Sequence, residues 1–164
     1  MPPGTIDAHF LQLANANIGI AHKVCRIYFR DPEDQADVLQ EMMYQLWRSF
    51  EKFDNRSKFS TWMYSVCLNT ALTFKRRSDR RRTAEMVLEH EQTADPVESD
   101  HEAAISALYS AIATLSPINR AIIMLYLEEL SYDEIAQITG LSRSNVSVRL
   151  VRAKKELQKL MESS

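Results

Sequence analysis

The stretch from Ser131 to Lys159, SYDEIAQITGLSRSNVSVRLVRAKKELQK, constrains the fold of this chain more than any other. Ser131 and Glu134 have the S-x-x-E spacing of a capping box, in which each side chain satisfies a backbone N–H left over at a helix start. Ile135, Ala136 and Ile138 supply apolar contacts, and Ala136 is small enough for close helix approach. Gly140 suits the left-handed residue that ends a helix. Leu141 then anchors the turn, and Ser142 can cap the next helix. In that second helix Val146, Leu150, Ala153, Leu157 and Leu160 recur at spacings of four and three, so they share one side and are expected in the core. The reading is a helix, a tight turn and a second helix.

The other side of that second helix carries Ser144, Ser147, Val148, Val151, Arg152 and Lys155. Two valines among polar groups are disfavoured by water but suit a thymine methyl. Arg143, Arg149, Arg152, Lys154, Lys155 and Lys159 face only Glu156 as a counter-charge, a bias that fits phosphate contact. Such a pair can place its second helix in the DNA major groove. The competing reading is a solvated basic helix in a bundle.

The rest of the chain extends the helical pattern. Only three of 164 residues are glycine, and β-branched runs are short, so helix is expected almost throughout. A net charge of −2 excludes a polycation that binds DNA tightly by itself, since phosphate contacts dominate affinity; a larger partner is implied. Met1 to Thr5 reads as a loose end. Phe10, Leu13, Ile18, Ala21, Val24, Cys25 and Tyr28 line one face of a periodic segment over 6–29. Asp31-Pro32 restarts the chain as cap and first turn of a helix reaching about Phe50. Its buried side is Val38, Leu39, Met42, Met43, Leu46 and Trp47. Glu33, Asp34, Asp37 and Glu41 answer the positive helix N-terminus, but Asp37, Gln40 and Glu41 carry the polar side past the first turn, so a contact surface is also plausible.

Phe53 to Phe59, FDNRSKF, is a polar loop flanked by aromatics. Ser60 or Thr61 caps a following helix to about Arg77, which holds Trp62, Tyr64, Asn69, Lys75, Arg76 and Arg77. Rings interleaved with cations suit unstacked bases, although core packing of Phe59 and Trp62 explains the same pattern. Lys75 to Arg82 has seven charged positions, six of them basic, and Glu85 to Glu102 has seven acidic residues with no Lys or Arg. The acidic block, with Pro96, reads as a flexible linker. Beyond it come a helix over 104–115, a Ser116-Pro117 restart, and a helix with Ile122, Ile123, Leu125 and Tyr126 on a wide apolar face. With the helix-turn-helix this makes a compact four-helix module.

Cys25 and Cys67 read as reduced, buried residues of a cytoplasmic protein. His22 and Cys25 have H-x-x-C spacing, but two further ligands are not evident, so neither zinc nor any other metal is expected. No signal peptide and no membrane-spanning run is seen. No glycine-rich phosphate loop, H-E-x-x-H or G-x-S-x-G is present, so no catalytic site, cofactor or small-molecule substrate is expected.

This layout resembles the extracytoplasmic-function (ECF) sigma factors, bacterial initiation factors that keep only regions two and four. DPEDQADVLQEMMYQLWRSFEKFD resembles the region-two helix that docks on the clamp helices of the RNA polymerase β′ subunit. FSTWMYSVCLNTALTFKRR resembles the segment that melts and reads the −10 element, and LSPINRAIIMLYLEELSYDEIAQITGLSRSNVSVRLVRAKKEL resembles region four, which reads the −35 element. The resemblance implies an all-α chain of two small helical domains: residues 1–78 for core polymerase and the −10 element, an acidic linker over 79–103, and residues 104–164 for the −35 element. It implies a polymerase contact at Asp34, Asp37, Gln40 and Glu41, with the β flap as a further polymerase partner. It implies a base-capturing loop of Asn55, Arg56, Ser57 and Lys58, with Trp62, Asn69, Lys75, Arg76 and Arg77 supporting that strand or its phosphates. Ser147, Val148, Val151 and Arg152 would face −35 bases, with Arg143, Arg149 and Lys155 near phosphates. An anti-sigma protein is a further implied partner. Thr73 stands where the family often has an acid and Val148 where it often has a base, which touches promoter preference. The alternatives are a stand-alone helix-turn-helix regulator that binds a palindrome as a dimer, and a protein-interaction module whose basic helix is only solvated.

Overall fold

Every stretch of regular structure in the computed structural model, which describes residues 3–85 and 99–163, is helical. The elements are α1 (Pro3–Ala16), α2 (Ile18–Tyr28), α3 (Pro32–Ser49), a 3₁₀ turn (Phe50–Lys52), α4 (Phe59–Glu85), α5 (Asp100–Ile112), α6 (Pro117–Leu127), α7 (Tyr132–Thr139) and α8 (Arg143–Glu162). None of the described helices is long and apolar enough to cross a membrane. The chain divides into two compact units, Met1–Phe74 and Lys75–Ser164.

The periodic segment over 6–29 is two helices. Asn17 interrupts it: its side-chain Nδ2 donates to Leu13 O at 2.9 Å, and its backbone N–H turns back to Ala14 O at 3.2 Å. An asparagine amide competes with the helix for backbone carbonyls, and here it stops α1 while the apolar phase runs on. The helix already begins at Pro3, ahead of the loose end expected to reach Thr5.

In the first unit the core is Phe10 and Ala14 of α1, Val24, Cys25 and Tyr28 of α2, Val38, Met42 and Leu46 of α3, and Met63, Cys67, Leu68 and Ala71 of α4. Each buried side chain of Leu or Met size contributes about 1.5–3 kcal/mol. Asp31 caps α3 by accepting the Glu33 N–H at 2.9 Å, with Pro32 in the first turn, as the Asp-Pro pair implies. Gln35 Nε2 donates to Phe29 O at 2.7 Å and ties α3 to the end of α2. Cys25 Sγ donates weakly to Met42 Sδ at 3.7 Å, and burial pushes the Cys25 thiol up to about 11 and Cys67 to about 12. His22 is exposed while Cys25 is buried.

In the second unit Ile112, Leu115, Ile122, Ile123, Leu125, Ile135, Ile138, Val146, Leu150 and Ala153 form the core. Ser116 caps α6 by accepting the Asn119 N–H at 3.4 Å. Arg120 closes the end of α5: its Nε donates to Leu115 O at 2.9 Å and its Nη2 to Ala113 O at 2.7 Å.

The linker expected over 79–103 is helical at both ends. α4 continues to Glu85, with an i,i+4 pair between Lys75 Nζ and Asp79 Oδ1 at 3.7 Å, and α5 starts at Asp100 because Ser99 caps it by accepting the Glu102 N–H at 3.1 Å. The centre of that linker, residues 86–98 with Pro96, lies outside the described residues.

Candidate nucleic-acid and partner interfaces

The helix-turn-helix is built by its caps. Ser131 Oγ accepts the Glu134 N–H at 3.1 Å, and Glu134 Oε1 accepts the Ser131 N–H at 3.2 Å, which closes the capping box. Gly140 takes φ 78°, ψ 5°, and its N–H donates to Ala136 O at 2.9 Å. A residue with a Cβ is strained in that left-handed conformation. Ser142 Oγ then accepts the Asn145 N–H at 3.1 Å and starts α8.

Packing divides α8 into two faces. Val146, Leu150 and Ala153 are fully buried, whereas Val148 and Val151 are each 49% exposed. Ser144, Arg152 and Lys155 are exposed beside the valines, and Ser147 is half-buried. The apolar side does not reach as far as the periodicity implies: Leu157 is half-buried and Leu160 is exposed. Spacing sets which way a side chain points, but a packing partner must cover it, and the last turn of α8 is not covered that far.

The cations on and around α8 are not equivalent. Arg143 Nη1 lies 3.7 Å from Asp133 Oδ1, with both side chains largely exposed, a pair worth about 0–1 kcal/mol that a phosphate can displace. Arg149 is half-buried and held by two asparagine oxygens, Asn145 Oδ1 at 3.1 Å and Asn119 Oδ1 at 3.3 Å. Lys154 Nζ sits 3.9 Å above the Tyr126 ring. Tyr126, expected on the apolar face of α6, is 38% exposed and is covered by that ammonium instead.

In the first unit the loop after the 3₁₀ turn stands on an aromatic base. Phe53 packs on Phe59 at 5.8 Å and on Trp62 at 5.2 Å, Phe59 lies 5.4 Å from Trp62, and the Phe50 ring meets Phe53 at 6.3 Å, Phe59 at 6.4 Å and Trp62 at 6.2 Å, with Phe10 at 5.3 Å from it. Phe59 and Trp62 are half-buried, so each ring both packs and shows an edge to water. Above them Asp54 Oδ1 accepts the Arg56 N–H at 3.2 Å, Asp54 Oδ2 pairs with Arg56 Nε at 3.0 Å, and Asn55 takes φ 61°, a conformation asparagine tolerates. Asn55, Arg56 and Lys58 are exposed and Ser57 is half-buried. α4 begins at Phe59, so Ser60 and Thr61 lie inside its first turn and do not cap it. Trp62, Asn69 and Arg76 follow one another at spacings of seven, which sets them along one side of α4 with Thr73 and Arg77; Asn69, Thr73, Arg76 and Arg77 are exposed, and Lys75 is half-buried.

On α3, Asp37, Gln40 and Glu41 are exposed and Asp34 is half-buried. Gln45 Nε2 donates to Glu41 Oε1 at 2.9 Å. Trp47, expected in the core, is 53% exposed, and Tyr44 beside it is 51% exposed with ring centroids 6.4 Å apart. The acidic stripe therefore continues into an exposed aromatic pair that sequence reasoning missed. The signal was present: Trp47 is seven residues beyond Gln40, on the polar side, and only one beyond the buried Leu46.

Two family models match this arrangement. Sigma-70 region 2 matches residues 13–81, and Sigma-70, region 4 matches residues 105–157. The chain is 30% identical over 129 residues to the RNA polymerase sigma factor SigV of Bacillus subtilis, covering 78% of this chain and 76% of that one. It is 30% identical over 138 residues to the ECF RNA polymerase sigma-E factor of Haemophilus influenzae, covering 76% and 73%. In fold it is similar to the sigma factor RpoE of Bartonella quintana, solved with the anti-sigma factor NepR, at a TM-score of 0.79, 20% identity and coverage of 94% and 97%. It is also similar to the structure of CnrH in complex with the cytosolic domain of CnrY, at a TM-score of 0.70, 23% identity and coverage of 96% and 90%. These matches define an all-α transcription initiation factor. The chain belongs to the RNA polymerase sigma factors, in the ECF group.

Proposed function

We propose that this chain binds core RNA polymerase and directs it to promoters, each unit holding a different part of one start site. Residues 1–78 act on polymerase and the −10 element, residues 104–164 act on the −35 element, and 79–103 connect them. The exposed acidic side of α3, with Asp34, Asp37, Gln40 and Glu41, meets the clamp helices of the β′ subunit. The second unit meets the β flap. Asn55, Arg56, Ser57 and Lys58 capture a flipped base of the −10 strand; Trp62, Asn69, Lys75, Arg76 and Arg77 support that strand or its phosphates. On α8, Ser147, Val148, Val151 and Arg152 face −35 bases, while Arg143, Arg149 and Lys155 meet phosphates. Trapping unstacked bases drives duplex opening, each step of which costs a few kcal/mol. The chain makes and breaks no covalent bond, acts in the cytoplasm with the polymerase, and is held in check by an anti-sigma protein, a reading supported by the similar sigma factor RpoE solved with the anti-sigma factor NepR.

One observation carries the reading: a doubly capped helix-turn-helix whose second helix turns Val148 and Val151 half-exposed toward solvent among cations. The test is reconstitution of the full chain with core polymerase on a promoter library. Initiation that depends on both confirms the reading. Tight operator binding without polymerase would establish the dimeric regulator instead, and no activity in either assay would leave an interaction module.

A further inference from the structure

Arg149 is a cation of α8 that hydrogen bonds from two helices orient. Its Nε donates to Asn145 Oδ1 at 3.1 Å, one turn back, and its Nη1 donates to Asn119 Oδ1 at 3.3 Å, thirty positions away on α6. The two asparagines occupy equivalent places. Each is the third residue of its helix, and each gives its backbone N–H to a serine cap, Ser116 for Asn119 and Ser142 for Asn145. The caps fix both asparagines at the helix starts, and their amide oxygens converge on one guanidinium.

The chemistry of the hold matters. A guanidinium has five N–H donors, of which these bonds use two, so both Nη2 hydrogens and one on Nη1 remain. Amide oxygens are neutral acceptors: they orient the group and leave its positive charge uncancelled. Arg143, by contrast, lies against the Asp133 carboxylate. Arg149 is also half-buried while Val148 and Arg152 on either side of it are exposed. It sits at the edge of the outward face, toward α6, where a phosphate of the flanking strand would lie when bases meet the centre of that face.

We propose that Asn119 is a positioning residue for promoter binding: with Asn145 it holds Arg149 so that its remaining N–H groups grip a backbone phosphate of the −35 duplex. The proposal rests on the reading of α8 as the −35 helix. A side chain already held in its bound geometry loses little freedom when the phosphate arrives, which favours the complex. Because the contact is to a phosphate, it strengthens binding to every promoter alike.

The experiment uses the full chain with core polymerase and measures promoter affinity against salt for the wild type, Asn119→Ala, Arg149→Ala and the double variant, with thermal melting of each. Asn119→Ala is expected to weaken promoter binding about two- to ten-fold without changing base preference or the salt slope. Arg149→Ala is expected to weaken it further and to lower the slope by about 1. In the Arg149→Ala background Asn119→Ala should then have no further effect. A wild-type affinity for Asn119→Ala overturns the proposal, as does a loss of the same size in both backgrounds, which would make Asn119 a merely structural residue. A wild-type chain that directs polymerase to no promoter overturns the sigma reading and this proposal together.

Discussion

Gly140 and Glu129 adopt the same left-handed backbone with opposite chemical suitability. Gly140 ends α7 at φ 78° with open space where a Cβ would project, so the cost of a side chain there is conformational only. Glu129 follows α6 at φ 63°, in a turn where its N–H returns to Tyr126 O at 2.9 Å and the Leu130 N–H returns to Leu125 O at 3.2 Å. That is the paired bonding of a Schellman motif, which favours glycine. Gly140→Ala is expected to destabilise the second unit by about 1 kcal/mol and Glu129→Gly to stabilise it by a similar amount, both read from denaturant midpoints. The two thiols supply a pH dependence. Burial raises Cys25 from 9.0 to about 11 and Cys67 to about 12, so the native chain keeps protons that the unfolded chain releases above pH 9. Below pH 9 both states are protonated and the thiols contribute no slope; from pH 9 to about 12 stability falls as pH rises. Denaturation of the wild type and of Cys25→Ala/Cys67→Ala at pH 8 and at pH 10.5 checks this: the wild type should lose the larger share. Equal losses would show that the thiols titrate normally.

Among the elements, α8 and α3 each carry one face inward and one outward, and the outward faces hold the proposed contacts. Arg152 is exposed between the valine pair and Lys155. Arg152→Ala is expected to cost about 1–3 kcal/mol of discrimination at one −35 position while leaving the melting temperature unchanged. Unchanged selectivity across a promoter panel would remove Arg152 from the base-facing set. The faces were only partly legible. The buried set Val38, Met42 and Leu46 follows from spacing, but Trp47, whose hydrophobicity favours the inward side, has a register that points out. Leu160 has the inward register and is exposed all the same. Periodicity reports direction, whereas coverage depends on a second element.

For the molecule as a whole, two separately cored units are proposed to hold different parts of one promoter. A net charge of −2 favours only weak DNA binding by the chain alone, so damage to the proposed polymerase contact should silence both units at once. Asp37 is exposed on α3. Asp37→Arg is expected to weaken capture of core polymerase by about ten-fold or more, because it inverts a charge at the proposed polymerase contact, while leaving the circular dichroism spectrum intact. Undiminished pull-down of core enzyme would move the docking surface off this face.

The sequence alone determined the helical class, the helix starts at Pro32, Pro117, Tyr132 and Arg143, and the turn at Gly140. These depend on interactions within about four residues, namely serine or aspartate caps, proline at a first turn and a glycine that accepts positive φ. The tertiary structure decided which side chains those helices cover. It packed the rings of Phe50, Phe53, Phe59 and Trp62 under the loop, left Leu160 in water despite its inward register, and brought Asn119 to Arg149 across thirty positions. No local rule reaches that far, because each of those outcomes is set by where a distant helix comes to rest.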